Sequence, residues 1–264
     1  MHLEFPEVVM KTFNRKSITL KALVLAMSVV APVSLKADTI LGIYISASSW
    51  QPDFSGEIDN SGPVINLNDQ LNITDDSSTL TSFALEHPVP WIPNVKVQRT
   101  ELDTTSLSII GSDINFGGVI FPSGSELNSQ IDLSHTDYIL YYEILDNWVS
   151  IDFGISLMNF DGNISLQSDG LASEVNLDDY VPAGYARASF ELPLTGVFAG
   201  VEGSLLSVGD NSISDYKVFL GWESEFGLGA EVGYHSFSVD WEDFDSSNGD
   251  LTFDGYYVSV NYHF

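Results

Sequence analysis

The residues that could do chemistry in this chain are mostly acids, with a few cations and histidines set among them. Arg187 and Lys217 stand at alternating positions with Glu143, Asp152, Glu191, Glu202, Glu223 and Glu231 on the same side of their segments. Charge facing a narrow interior must be paired or solvated, so this pattern predicts an internal salt-bridge network around the two cations. A plug of paired side chains is the first expectation; an ion pathway is the second, and with this acid excess it would select cations. His135 and Asp137 are two apart, so on a strand they point the same way, which suits a hydrogen-bonded pair or two metal ligands. No third ligand can be named from the sequence, and no metal is assigned.

Acids also cluster as Asp75-Asp76, as Asp178-Asp179 and in the run from Asp240 to Asp250 with Asn248-Gly249. These carboxylates could ligate calcium, but the run lacks the regular spacing of a calcium loop. A solvated acidic surface is the simpler account. Hydrolysis or acyl transfer needs an activated serine. Neither His135 nor His235 has a serine two places on, the residues there being Asp137 and Phe237. No catalytic residue is assigned, no enzyme is expected and no cofactor is implied. Gly227-Leu228-Gly229 with Gly233 begins an amphipathic strand, and its third glycine is misplaced for a nucleotide fingerprint. Asn72-Ile73-Thr74 is a glycosylation sequon by pattern only.

The chain has 264 residues, nine Lys and Arg against 37 Asp and Glu, and no cysteine. Ala22 to Ala31 is an apolar run preceded by Lys11, Arg15, Lys16 and Lys21, the layout of a signal peptide, with cleavage expected after Ala37. The run is shorter than the ~18 to 20 residues that cross a bilayer as a helix. Beyond residue 37 stand four cations, Lys96, Arg99, Arg187 and Lys217, against 35 acids, a formal charge of 4 − 35 = −31. Nucleic acid is excluded as a partner, because phosphate recognition depends on Lys and Arg. Without cysteine there is no disulfide framework, thiolate nucleophile or lipid anchor on a thiol.

Something must position these polar groups, and the candidate is a set of strands. Segments of about ten residues alternate apolar and polar, the period that puts one face in lipid and the other in a lumen. In the last, Tyr256, Val258, Val260, Tyr262 and Phe264 share one face, and Tyr257, Ser259, Asn261 and His263 the other. Similar rows are Leu228 to Tyr234, Tyr216 to Trp222, Val197 to Val201, Ala186 to Leu192, Val149 to Leu157 and Tyr138 to Tyr142. Weaker segments near residues 39 to 50, 78 to 87 and 94 to 106 bring the total to ten, with eight as the alternative. The connections sort into those at one end, mostly long and acidic (51 to 77, 107 to 130, 161 to 180, 209 to 212, 241 to 250), and tight ones at the other (Pro88 to Pro93, Leu145 to Asn147, Pro193 to Thr195, Ser224 to Gly227). That is the asymmetry of an outer-membrane barrel. The expected fold is therefore all-β, a closed antiparallel up-and-down transmembrane β-barrel over residues 38 to 264. Trp50, Trp91, Trp148, Trp222 and Trp241 fall at segment ends or in connections, as interfacial aromatics do. A secreted β-sandwich is the competing fold.

Trp50-Gln51-Pro52-Asp53, the stretch ALEHPVP from Ala84 to Pro90 with Pro93-Asn94-Val95-Lys96, LSHTD from Leu133 to Asp137 and LYYEILDNW from Leu140 to Trp148 resemble a small family of proteobacterial outer-membrane β-barrel proteins. The aromatic C-terminal strand resembles the signal by which barrels are recognised for insertion. These resemblances imply the outer membrane of a Gram-negative cell and the barrel fold, not a chemistry. The expected partners are outer-membrane lipid and lipopolysaccharide, the barrel-assembly machinery during biogenesis, and divalent cations bridging the acidic loops to lipopolysaccharide phosphates. The expected role is structural or at the surface, with a lumen filled by paired side chains; a narrow porin-like, cation-preferring pore is the alternative, and a lipid-modifying enzyme a more distant one.

Overall fold

A computed structural model describes residues 41–60, 63–73, 77–244 and 247–264 of the chain. The leader, its cleavage point, Thr74 and Asp75-Asp76 lie outside the described residues. Along the chain come β1 (Gly42–Asn60), β2 (Ile65–Asn66), a short helix α1 (Leu67–Leu71), β3 (Ser78–Glu86), β4 (Asn94–Glu101) and β5 (Asp103–Ile109). The hairpin β6 (Ile114–Phe116) and β7 (Val119–Phe121) follows, then β8 (Glu126–Asp132), β9 (His135–Asp146), β10 (Val149–Phe160), β11 (Gly162–Ser168) and β12 (Leu171–Leu177). The last five are β13 (Tyr180–Leu192), β14 (Val197–Val208), β15 (Asn211–Glu223), β16 (Leu228–Phe244) and β17 (Ser247–His263).

Ten of these form a closed antiparallel barrel in the order β1-β3-β4-β9-β10-β13-β14-β15-β16-β17, and β17 pairs back onto β1. The closing ladder runs from Tyr44 opposite His263 to Asn60 opposite Ser247. Among the described residues, closure leaves the lower barrel without an edge strand. Each of the ten segments expected from the alternation overlaps one of the ten barrel strands. At one end the links are tight: Gly227, with φ +82°, turns the chain between β15 and β16, and its N–H donates to the Ser224 carbonyl at 2.9 Å. The first and last strands meet at that same end, where Phe264 N–H donates to the Ile43 carbonyl at 2.9 Å.

The opposite end departs from expectation. The connections 51 to 77, 107 to 130 and 161 to 180 contain strands and a short helix of their own, and 209 to 212 holds only a tight turn between β14 and β15. The segment 94 to 106 is not one strand: it breaks at Leu102, which is buried, and β5 leaves the barrel for a four-stranded sheet in the order β12-β11-β8-β5. This sheet, the β6–β7 hairpin and α1 form a cap. One hydrophobic core unites cap residues such as Leu127, Ile131 and Leu166 with barrel residues such as Trp50, Phe54, Phe237 and Phe253. Within the run from Asp240 to Asp250, β16 extends to Phe244 and β17 begins at Ser247, with Asp240 opposite Asp250.

The long strands keep one alternation while the chemistry of their faces inverts. Low in β17, Tyr256, Val258 and Val260 are exposed on the outer wall, and Tyr257 and Ser259 are buried inside. Above Gly255, the outward residues are Asp254, Thr252 and Asp250, and the inward ones are the buried Phe253 and Leu251. In β1, Ile45 is exposed low on the outer wall, whereas higher up Trp50, Phe54 and Ile58 are buried inside and Asp53 and Glu57 lie outside. The lower barrel is apolar outside and polar within; the upper barrel is built like a water-soluble protein.

Candidate functional site in the lumen

Charged side chains from neighbouring strands fall into one row because the register sets them opposite each other. Glu143 faces Asp152, Asp152 faces Arg187, Arg187 faces Glu202, Glu202 faces Lys217 and Lys217 faces His235. Glu202 is the hub. It pairs with Arg187 at 4.0 Å and Lys217 at 3.8 Å, and it accepts a hydrogen bond from Lys96, which reaches it from β4 across the lumen. Arg187 also approaches Asp152 at 4.0 Å and lies over the Phe219 ring at 5.7 Å. Lys217 donates to Gln98 Oε1 at 2.7 Å. Three of the four cations beyond residue 37 thus converge on one carboxylate. The fourth, Arg99, donates to Asp161 at 2.7 Å.

The expected network of eight residues is smaller on one side and larger on the other. Glu143 accepts from Asn94 Nδ2 at 3.2 Å, and Glu231 accepts from the Tyr257 hydroxyl at 2.5 Å, so each has its own neutral partner. Glu191 and Glu223 do not join the hub. Glu191 lies four residues along β13 from Arg187, about 13 Å at ~3.3 Å per residue. Glu223 is at the tight-turn rim beside His263, at 3.5 Å. Lys96 and Gln98, missed in the sequence, complete the cluster from the far wall.

One level up lies a second polar group. His135 and Asp137 do point the same way, into the lumen, with Nε2 and Oδ2 3.8 Å apart. Asp215 on β15 faces them from across the ring, and one ligand atom from each of the three lies within 4.8 Å of the others. All three side chains are buried. His135 Nδ1 donates to the Leu133 carbonyl at 2.8 Å, Ser156 Oγ donates to Asp137 Oδ1 at 3.4 Å, and His235 Nε2 donates to Asp215 Oδ1 at 2.5 Å. Aromatic rings flank the group: His135 lies 5.0 Å from both Phe160 and Phe237, and Trp50 lies 4.1 Å from His235.

No protein-family model matches the chain, and no curated protein matches it. Among solved structures, the translocator domain of the autotransporter NalP from Neisseria meningitidis aligns over 98% of this chain and 99% of its own, with 13% identity and a TM-score of 0.40. An outer membrane channel from Pseudomonas putida F1 aligns over 89% and 100%, with 8% identity and a TM-score of 0.39. The attachment invasion locus protein Ail of Yersinia pestis aligns over 86% and 100%, with 8% identity and a TM-score of 0.32. The barrel assignment rests on the strand pairing itself.

The tryptophans divide. Trp91, Trp148 and Trp222 are exposed on the outer wall or turns of the tight-turn end, where Trp222 Nε1 donates to the Thr195 carbonyl at 3.2 Å. Trp50 and Trp241 are not interfacial. Trp50 is mid-strand in β1 and wholly buried inside the upper barrel, and Trp241 packs against the same core. The upper rim of the apolar belt carries tyrosines instead: Tyr138, Tyr216 and Tyr256 are exposed there, and Tyr234 donates to Asp254. Tyr256, Val258, Val260, Tyr262 and Phe264 share the outer face of the C-terminal segment.

Above that rim, Asp250 stands opposite both Asp240 and Glu57. Partial burial, then repulsion from Asp240 and Glu57, raises its carboxyl above the ordinary value of 3.8, against a hydrogen bond from Thr252. A carboxyl whose folded pKa is raised adds stability below its unfolded value and loses it as pH rises through the folded one. Asp250→Asn is therefore expected to raise the unfolding midpoint of the detergent-solubilised barrel at pH 7 and leave it unchanged at pH 3. An equal shift at both pH values would show that repulsion is not the cause.

Proposed function

We propose that this chain is an outer-membrane β-barrel with a closed lumen, serving a structural or surface role and not as a conduit. The observation that carries the reading is the double obstruction: the Glu202 cluster crosses the lumen, and the cap core is packed over it. A barrel of eight to ten strands has an interior that side chains largely fill. Placement in a membrane is supported by the exposed apolar belt between the lower tryptophans and the upper tyrosines. In β17 it extends from Tyr256 to Phe264, matching the ~9–11 residues of a tilted spanning strand. Lipopolysaccharide would then meet the acidic outer wall above the belt, with divalent cations as the bridge. The C-terminal row would be the part read by the assembly machinery.

The test is swelling of liposomes that hold the refolded protein. No uptake of small sugars and no conductance in planar bilayers are expected. Steady conductance would overturn the closed-lumen reading, and cation preference in it would favour the narrow pore. The exposed third of the Arg187 side chain is what speaks for that alternative, since the cluster does not pack every atom at its level of the lumen. Lipid-modifying catalysis is not proposed, because His135 and His235 are both inside the barrel and committed to Leu133 and Asp215. Membrane lipids are expected to be the same with and without the protein.

A further inference from the structure

We propose that His135, Asp137 and Asp215 bind one first-row divalent cation, of the zinc class, inside the barrel at the boundary between the charged lumen and the cap. The argument begins with what these side chains lack. His135 Nδ1 is engaged by the Leu133 carbonyl, so in the neutral ring the lone pair is on Nε2, and that atom is buried with no hydrogen-bond partner among the described residues. It points toward the Asp137 carboxylate, too far away at 3.8 Å for a hydrogen bond. Asp137 itself is 2% exposed, and its side-chain hydrogen bond among the described residues is the long 3.4 Å contact with Ser156. An ionised carboxylate taken out of water needs a cation or several donors. Lys96 and Lys217 are near enough to favour that charge but make no ion pair with it among the described residues, turning instead to Glu202 and Gln98.

The surroundings are those of a metal site. Ligating histidines hand their second nitrogen to a carbonyl or carboxylate, and ligating carboxylates are themselves hydrogen-bonded. Here the Leu133 carbonyl, Ser156 and His235 hold His135, Asp137 and Asp215 in that order. One imidazole nitrogen and two carboxylate oxygens suit zinc and its neighbours better than calcium, which takes six to eight oxygens. With metal–ligand bonds of ~2.1 Å in a tetrahedron, donors stand about 3.4 Å apart, so the present spacing closes by side-chain rotation. Asp215 is on β15 and the other two ligands on β9, strands that are not neighbours in the ring, so the ion would tie opposite walls together.

The experiment is zinc and cobalt titration of the folded, metal-stripped protein in detergent, with heat-modifiability on a gel confirming the fold of each variant. The expected result is one equivalent of zinc and a cobalt absorption band typical of nitrogen–oxygen ligation. His135→Gln and Asp215→Asn are expected to weaken binding more than 100-fold. His235→Gln, altering a positioning residue, is expected to weaken it about 10- to 100-fold, while Asp250→Asn on the outer wall leaves it unchanged. No stoichiometric uptake by the wild type would overturn the proposal and leave a shared proton as the partner of Asp137. Unchanged binding in folded His135→Gln would overturn it equally. Should that variant fail to fold, a wild-type cobalt spectrum of all-oxygen, six-coordinate type would do so instead.

Discussion

Glu202→Gln is expected to lower the stability of the folded barrel by about 3 kcal/mol or more, the scale for removing one partner of a buried ion pair and leaving the other charged. The substitution keeps the shape of the side chain and deletes only its charge. Lys96, Lys217 and Arg187 then share a confined space with no central anion. Asp152 still serves Arg187, so the loss falls mainly on the two lysines. A compensated variant separates charge from packing: Glu202→Leu with Lys96→Met and Lys217→Met removes the ions together, and such replacements are often neutral or stabilising. Urea unfolding followed by gel mobility is expected to rank the compensated triple variant above Glu202→Gln. If Glu202→Gln matched the wild type, the lumen would be wet enough to solvate the lysines, and the obstruction would be weaker than the contacts indicate.

Trp50→Ala is expected to cost about 3–5 kcal/mol, the range for emptying a large buried aromatic site. Its effect should be local. Trp50 is at the base of the cap core beside His235, whereas the belt below is held by its own hydrogen-bonded ladder. The variant is expected to resist detergent denaturation at room temperature, as a closed barrel does, while protease cleaves the cap between β5 and β8. Trp222→Ala, on the outer wall at the other end, is the control and is expected to leave the cap resistant. Cleavage of the wild-type cap at the same rate would show that the shared core does not hold it down.

The lower barrel was legible because two rules agree there: alternation sets the faces, and apolarity marks which face is outside. Above Gly255 the first rule holds and the second reverses. Asp250, Thr252 and Asp254 alternate with Leu251 and Phe253 as regularly as the lower rows do, but an outward acid reads as loop when lipid is expected. Trp50 was misplaced for the same reason, since the strand expected to end there continues to Asn60 with its greasy side inward. The row Arg187, Glu202, Lys217 was legible in the alternation, and laying adjacent hairpins in register sets each directly opposite the next. Lys96 and Asp215 were not so legible. Lys96 reaches Glu202, and Asp215 faces His135 and Asp137, across the lumen, and no local spacing says which strands of a ring look at each other.

The seam between first and last strands has a bearing on how the molecule comes into being. Trp50, Phe54 and Ile58 arrive on one side of it, Leu251, Phe253 and Tyr257 on the other, and together they supply part of a single dry interior. That interior has no complete form until the two chain ends meet. A half-inserted sheet is an open trough, and its lid can be finished only once the trough has become a tube.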